Sequence, residues 1–393
     1  MNGAPHCSLP YVKRYDAIVI GGGPAGSTTA YRLAERGASV LLADKATFPR
    51  DKPCGGGMTL RAVRQCPVDP TPVVEEWVDL VELRFRYRAA VVRQTREPVV
   101  WMTQRRRLDA FLLEAAREKG VEVREGVRVA FDPHNVVLLG SGERVVADTI
   151  IGADGANGIT AKAFGLGSGI VYGVAYEGNV PYPTLPRERY ARRLVLELAD
   201  IPGGYAWVFP KGDHANVGVG GWQSEGPKLR GHLRRVCEAH GLDVDSLEDL
   251  RGHRLPLRRP GTRLAGSRTL LVGDAAGLID PVSGDGMYEC FVSSRLAAVA
   301  ILDLLAGRAE SLAPYESAVD AELSGLHRAS WKLKQALDRW PRATWQVART
   351  KLLWVSIRGM IDGELADPGD QHGLARVPLR ALAILGRGAG GAY

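Results

Sequence analysis

Apolar and polar positions along the chain mark out alternating strand-like and helix-like text. Asp16-Ala-Ile-Val-Ile20 is a short run rich in β-branched residues. Apolar side chains on consecutive positions predict a strand buried on both faces. Gly21-Gly-Gly-Pro-Ala-Gly26 follows, then helix formers from Ser27 to Arg36 and a stop at Gly37. Ser39-Val-Leu-Leu-Ala43 predicts a second strand ending at Asp44, so this opening reads as one βαβ unit.

Residues 46–60 are a Gly- and Pro-rich loop, and 73–102 alternate charged and apolar positions as strands do. Leu108 to Lys119 has helical periodicity and stops at Gly120, Val121 to Arg124 predicts a strand, and 136–151 a hairpin. From about 171 to 222 the pattern is strand-like, broken by Pro202-Gly203-Gly204 and Lys211-Gly212-Asp213; 225–240 reads as a helix. Thr269-Leu-Leu-Val272 is a further buried strand, leading to a long helix from about 286 to 306, with 313–358 mostly helical. Residues 1–13 read as a loose tail, and the end, with Gly386, Gly388, Gly390 and Gly391, as frayed.

Strands alternating with helices at both ends, around a strand-rich middle, predict an α/β protein with a discontinuous layout. A Rossmann-type nucleotide-binding domain (14–75, 103–160 and 263–310) is interrupted by a mostly antiparallel β-sheet domain (76–102 and 161–262). A C-terminal helical region, 311–393, follows.

Composition narrows the class. Of 393 residues, 45% are hydrophobic and 24% charged, enough for a large core without staples. The formal charge of +7 is too mild to indicate a nucleic-acid partner. Cys7, Cys54, Cys66, Cys237 and Cys290 are odd in number, widely spaced and without a C-x-x-C, which argues against a disulfide framework and a zinc site and for a cytoplasmic location. The eight histidines show no metal-ligand spacing, and no secretory or membrane-spanning run appears.

The strand–turn–helix at Gly21-x-Gly23-x-x-Gly26 carries the candidate chemistry. Gly21 permits the tight turn, Gly23 admits a pyrophosphate to the backbone, and Gly26 lets the helix pack on the sheet; Pro24 and Ala25 open that helix. Its N-terminus faces the phosphates. Asp44 is placed to bind ribose hydroxyls, with Lys45 beside it no obvious reader of a 2′-phosphate. This unit fits NAD or FAD. Leu270-Leu-Val-Gly273-Asp274, with Pro281-Val-Ser-Gly284-Asp285-Gly286-Met287, selects FAD: an Asp on a strand-end turn can bind a ribityl hydroxyl, and a bare Gly-rich backbone at a helix start can approach the flavin ring. Ile151-Gly-Ala-Asp154-Gly155 is a third, weaker element.

These three elements in order resemble the flavoprotein superfamily of single-component aromatic hydroxylases. The chain departs after Asp154-Gly155, where Asn157-Gly158-Ile159-Thr160 replaces the Ser and Arg usual there. Two segments resemble the geranylgeranyl reductase family more closely. Phe48-Pro49-Arg50-Asp-Lys-Pro-Cys54-Gly55-Gly56-Gly57 is similar to its Pro-Cys-Gly-Gly loop, and Tyr205-Ala-Trp207-Val-Phe209-Pro210 to its Tyr-x-Trp-x-Phe-Pro motif, with Asn216-Val217-Gly218 downstream. Gly284-Asp285-Gly286 takes the place of the usual Gly-Glu-Gly. The resemblance implies an FAD-dependent reductase that saturates C=C bonds of a geranylgeranyl-type chain on a lipid, quinone or diphosphate, and cofactor contacts from the Cys54 loop including Arg50 and Met58. Arg107 matches an Arg that contacts FAD in the wider superfamily, with Arg105 and Arg106 as competing neighbours. NAD(P)H and a ferredoxin-like protein both remain open as electron donor.

Prenyl double bonds are unpolarised, so the site must hold the chain against the ring, a positioning worth roughly 7–11 kcal/mol. Tyr205, Trp207 and Phe209 alternate on a strand and share one face, which suits a substrate wall or a plain core. Cys54 reads either as a thiol at the flavin, a proton source or a redox partner to the cofactor, with Tyr205 as a second catalytic candidate, or as a small residue in a tight loop. Residues 326–358 carry eight basic side chains against one acid, with Trp331, Trp340, Trp345 and Trp354 interleaved; this fits either peripheral membrane contact or a helical cap with a solvated basic face. An aromatic or polyketide monooxygenase, a halogenase and a non-catalytic FAD protein share the same fold-level features.

Overall fold

The structure, a computed structural model, describes residues 13–132, 136–140, 142–182, 185–365 and 367–386. Of the expected loose tail all but Lys13 lies outside these residues, as do Gly388, Gly390 and Gly391 of the expected frayed end.

Two large sheets form the frame. The first has the order Glu122–Arg124, Val40–Ala43, Lys13–Ile20, Glu143–Gly152, Val137–Leu139, Val129–Phe131, with Thr269–Leu271 pairing to Glu143–Gly152. Its pairs among Lys13–Ile20, Val40–Ala43, Glu122–Arg124, Glu143–Gly152 and Thr269–Leu271 are parallel. The apolar run at 16–20 is buried on both faces, as parallel sheets demand. Ala17 and Val19 pack beneath a helical layer that includes Leu33, Leu113 and Ile301, while Ile18 and Ile20 join Val137, Leu139 and Val145 on the other side.

The second sheet runs Glu248–Leu257, Val171–Pro181, His214–Trp222, Tyr205–Lys211, Arg193–Leu198, Leu80–Phe85, Ala89–Gln94. It is antiparallel except between Arg193–Leu198 and Leu80–Phe85. Period-two alternation decides its faces. Val195, Ala206, Val208, Val217 and Val219 pack against the helix Leu229–His240, leaving the opposite face to look inward. A three-stranded sheet (Gly57–Thr59, Val100–Thr103, Val74–Val78) joins the two halves.

The helices Ala313–Arg339, Pro341–Ala348, Lys351–Asp362 and Arg376–Leu385 cover the inward face of the second sheet. Three of the four tryptophans of 326–358 serve this packing, as the cap reading expects. Trp331 stacks on Trp222 with centroids 5.8 Å apart, Trp345 stacks on Phe85 at 5.5 Å, and Trp354 is half-buried in the cavity wall. Trp340 alone of the four is exposed, at 49%. Among the described residues, no helix is long and apolar enough to cross a membrane.

Candidate functional site

A cavity of about 1270 Å³ lies between the two sheets and the C-terminal helices. Its dinucleotide end is built by the first strand–turn–helix. Gly21 has φ +110°, and a Cβ there would stand 2.3 Å from the Ala153 carbonyl oxygen. A Cβ on Gly26 would fall 1.9 Å from the Gly21 oxygen, so only glycine lets the helix Pro24–Ala34 seat on the turn. At Gly23 the space is open, the nearest neighbour being Arg50 Nη2 at 3.6 Å. That helix has Pro in its first turn, no side-chain cap and no acid there. Its free N–H groups and the gap at Gly23 therefore fit a pyrophosphate. Asp44 lines the cavity, accepting from the Gly22 N–H at 2.7 Å and the Ala46 N–H at 2.8 Å, which tightens the turn; exposed Lys45 lies next to it.

Beside this turn stands a triad of charge. Arg105 donates twice to Asp109, at 2.6 and 2.8 Å, and Arg50 reaches the same carboxylate at 3.1 Å. Asp109 is wholly buried, and both arginines line the cavity. Two guanidiniums on one carboxylate leave a positive excess suited to a diphosphate. Arg107, the expected contact, lies elsewhere: it pairs with Glu75 at 2.6 Å and the Pro72 carbonyl at 3.1 Å, outside the cavity. Two residues along a helix turn about 200°, so Arg105 and Arg107 point opposite ways. The signal for Arg105 was present: Arg105, Leu108, Asp109 and Leu112 share one buried face.

Asp274 meets Lys52 at 2.9 Å and His253 at 3.9 Å. Burial alone would raise its carboxyl, but Lys52 and His253 hold it well below the usual range. Gly273, at φ +55°, has no room for a Cβ, which would lie 2.8 Å from the Ala25 Cβ and 2.9 Å from Cys290 Sγ. The segment from Pro281 to Gly286 is wound around Asp280, which accepts from Ser283 N and Oγ, both at 2.8 Å, and from Ser330 Oγ. Gly284 takes φ +66°, and Asp285 accepts the Met287 N–H at 2.9 Å at the start of the helix Met287–Leu305. Burial, then the nearby Glu289, pushes the Asp285 carboxyl up to about 7. Pro281, Gly284, Asp285, Gly286 and Met287 all line the cavity. Met58 does not. It is fully buried with Ala62, Leu108 and Phe291, because strand alternation turns Gly57 and Thr59 inward and Met58 away.

The Cys54 loop meets the aromatic strand. The Cys54 N–H donates to Glu177 Oε1 at 2.6 Å, and Lys211 Nζ donates to the Cys54 carbonyl at 2.5 Å. Gly56, at φ +86°, sits 2.2 Å, measured from a Cβ position, from the Thr103 oxygen. A Cβ on Gly55 would stand 2.9 Å from the Phe209 ring. Tyr205, Trp207 and Phe209 line the cavity in a row, with centroid spacings of 5.9 and 6.2 Å. The Tyr205 hydroxyl donates to the Ser283 carbonyl, and burial pushes its phenol up, so its proton is held. Beyond this row the cavity becomes an apolar arm. Leu194, Leu196 and Leu198 line it from the sheet, and Leu353, Ile357 and Leu382 from the helices. Sequence reasoning missed Glu177, Lys211 and the Arg105–Asp109 pair. Among the described residues no His, Cys, Asp and Glu grouping could hold a metal ion.

The FAD binding domain family matches residues 14–175. The chain is 31% identical to geranylgeranyl diphosphate reductase of Rhodobacter capsulatus, over 74% of this chain and 76% of that one. It is 27% identical to menaquinone reductase of Mycolicibacterium smegmatis, over 93% and 95%. A geranylgeranyl bacteriochlorophyll reductase-like protein of Thermoplasma acidophilum superposes with a TM-score of 0.75 at 22% identity, covering 95% of this chain and 96% of that one. A flavin-dependent brominase reaches the same TM-score at 19% identity, covering 94% and 98%, so the fold alone does not choose the chemistry. The sequence relationship does: this chain belongs to the geranylgeranyl reductase family and is an FAD-dependent oxidoreductase.

Proposed function

We propose that this protein saturates C=C bonds of a prenyl chain carried on a lipid, quinone or diphosphate. The observation that carries the reading is one cavity that brings the leucine-lined arm and the row of Tyr205, Trp207 and Phe209 together with the Cys54 loop and the FAD-binding segments. Reduced FAD would supply the hydride for one alkene carbon. Gly23 and the Arg50–Asp109–Arg105 triad would hold its diphosphate, and Gly273, Asp274 and the Pro281–Gly286 backbone would hold the rest of the cofactor. The aromatic row orients the chain and excludes water from it. Cys54 delivers the proton to the second carbon, and Tyr205, its hydroxyl committed to Ser283, fixes the wall. The relatives' names, geranylgeranyl diphosphate reductase and menaquinone reductase, support a prenylated substrate.

Access from a membrane surface completes the reading. The exposed residues of 326–358 include basic Arg328, Lys332, Arg342 and Lys351 and apolar Trp340, Leu352 and Val355; Leu374, in the turn Gly373–Ala375, and Val377 and Ile384, in the last helix, are exposed too. Such a face docks reversibly on anionic lipid. Co-sedimentation with anionic vesicles at low salt, lost at high salt, is the expected result; no binding at low salt refutes it.

The reaction is tested by reducing the FAD-loaded protein with dithionite without oxygen and supplying geranylgeranyl lipid, menaquinone or geranylgeranyl diphosphate. A product heavier by one hydrogen pair per reduced bond is expected. Oxygen-coupled hydroxylation, with no prenyl substrate reduced, would make the protein a monooxygenase instead.

A further inference from the structure

Two buried ionisable side chains grip the backbone of one residue, Cys54, from both of its peptide groups. Glu177, on the strand Val171–Pro181, is 7% exposed, and Lys211, at the end of the aromatic strand, is 6% exposed. Glu177 accepts the N–H of Cys54 at 2.6 Å and Lys211 donates to its carbonyl at 2.5 Å. Neither interaction touches the thiol; both fix the backbone that carries it. Burying such groups is costly unless they are matched, and here the match is the loop itself.

The grip continues into the aromatic wall. Trp207 Nε1 donates to Asn216 Oδ1 at 2.7 Å. Asn216, 2% exposed, turns its amide N–H toward Glu177 Oε1 at 3.5 Å and donates to Asn179 Oδ1 at 3.0 Å. Phe209, on the same strand, packs on Gly55. A continuous path therefore runs from Trp207 through Asn216 and Glu177 to the Cys54 N–H.

We infer that Glu177 and Asn216 are positioning residues that lock the Cys54 loop to the aromatic wall, so that the placement of the thiol depends on the placement of Trp207. The inference rests on the reading that the aromatic row and the Cys54 loop form the reaction site. Burial raises the Glu177 carboxyl, and an uncharged acceptor of the same shape serves the Cys54 N–H as well. Glutamine is then a faithful substitute and alanine is not.

The test measures alkylation of Cys54 by N-ethylmaleimide in the FAD-loaded protein, with the labelled peptide identified by mass spectrometry. Cys237 and Cys290 are buried, and a Cys54→Ser variant corrects for the other thiols. Removing the acceptor strands the Cys54 N–H, which loosens the loop by a factor of about ten to a hundred. Glu177→Ala is expected to accelerate Cys54 labelling by that factor and to lower kcat more than it changes KM, while Glu177→Gln stays near wild type. Asn216→Leu, which cuts the path to Trp207, is expected to accelerate labelling several-fold, and carries the test should the alanine variant lose its flavin. Wild-type labelling rates in Glu177→Ala or in Asn216→Leu overturn the inference, as does Glu177→Gln behaving like alanine. Labelling needs no turnover, so a protein that reduced no prenyl chain would refute the proposed reaction without touching this result.

Discussion

Gly218→Ala probes the aromatic wall without touching any group that reacts. Gly218 faces Trp207 across the strand pair, and a Cβ there would stand 2.1 Å from the indole Cζ2, 2.4 Å from Cε2 and 2.7 Å from Cη2. Three ring atoms are met at once, so no small rotation relieves the contact. The indole must shift by about 1.3 Å to restore ordinary contact at 3.4 Å, and the cavity is the open direction. That movement breaks the 2.7 Å bond from Nε1 to Asn216. Overpacking costs roughly 1–3 kcal/mol and the lost bond about 1 kcal/mol, so the expected destabilisation is about 2–4 kcal/mol. Thermal unfolding by circular dichroism should show a Tm lower by several degrees. Flavin content, read from the absorbance ratio, should fall less than turnover, because the dinucleotide turn and the Arg50–Asp109–Arg105 triad lie on other elements. Turnover of a geranylgeranyl substrate should fall at least tenfold. An unchanged Tm with unchanged turnover would show that Trp207 does not lie in the slot that Gly218 leaves.

Further substitutions test the other parts. Gly56→Ala forces a Cβ to within 2.2 Å of the Thr103 carbonyl oxygen at φ +86°, so the Cys54 loop should detach and flavin content should drop; an alanine protein with full flavin would refute that packing. Asp109→Ala strands two guanidiniums, one of them almost fully buried, and is expected to cost the protein without flavin about 3–5 kcal/mol, partly recovered on adding FAD; a denaturation midpoint equal to wild type contradicts the triad. Lys334 is buried with its amine on the Gly203 carbonyl and over Trp222, and burial lowers its pKa from 10.5 to about 8. The unfolded chain then holds the proton more tightly, so stability should rise with pH between about 8 and 10.5; Lys334→Met should flatten that rise, and an unaltered profile refutes the assignment.

The cofactor half was largely legible in the sequence because its constraints are local. Gly21 and Gly273 take positive φ at strand ends, Gly26 meets the Gly21 oxygen of its own turn, and the apolar runs at 16–20 and 269–272 could only be buried strands. Arg105 and Asp109 were equally legible in principle, since their spacing places both beside Leu108 and Leu112 on one helix face; a match by motif position favoured Arg107 over that periodicity. The substrate half depends on distant pairings. The parallel register of Arg193–Leu198 with Leu80–Phe85 spans more than a hundred residues and leaves no local mark. The roles of Glu177 and Lys211 become visible only once the loop carrying Cys54 is set between their strands. The tryptophans of 326–358 read alike for a membrane face and for a buried cap; Trp222 and Phe85, remote in sequence, make two of them core.

Anaerobic reoxidation of the reduced, FAD-loaded protein tests the central claim most directly. With oxygen excluded, adding a geranylgeranyl substrate should restore the oxidised flavin spectrum in step with product, one flavin reoxidised per double bond saturated, and Trp207→Ala should slow the step without removing flavin. A flavin that stays reduced with every prenyl substrate and reoxidises only when oxygen is admitted would contradict the account.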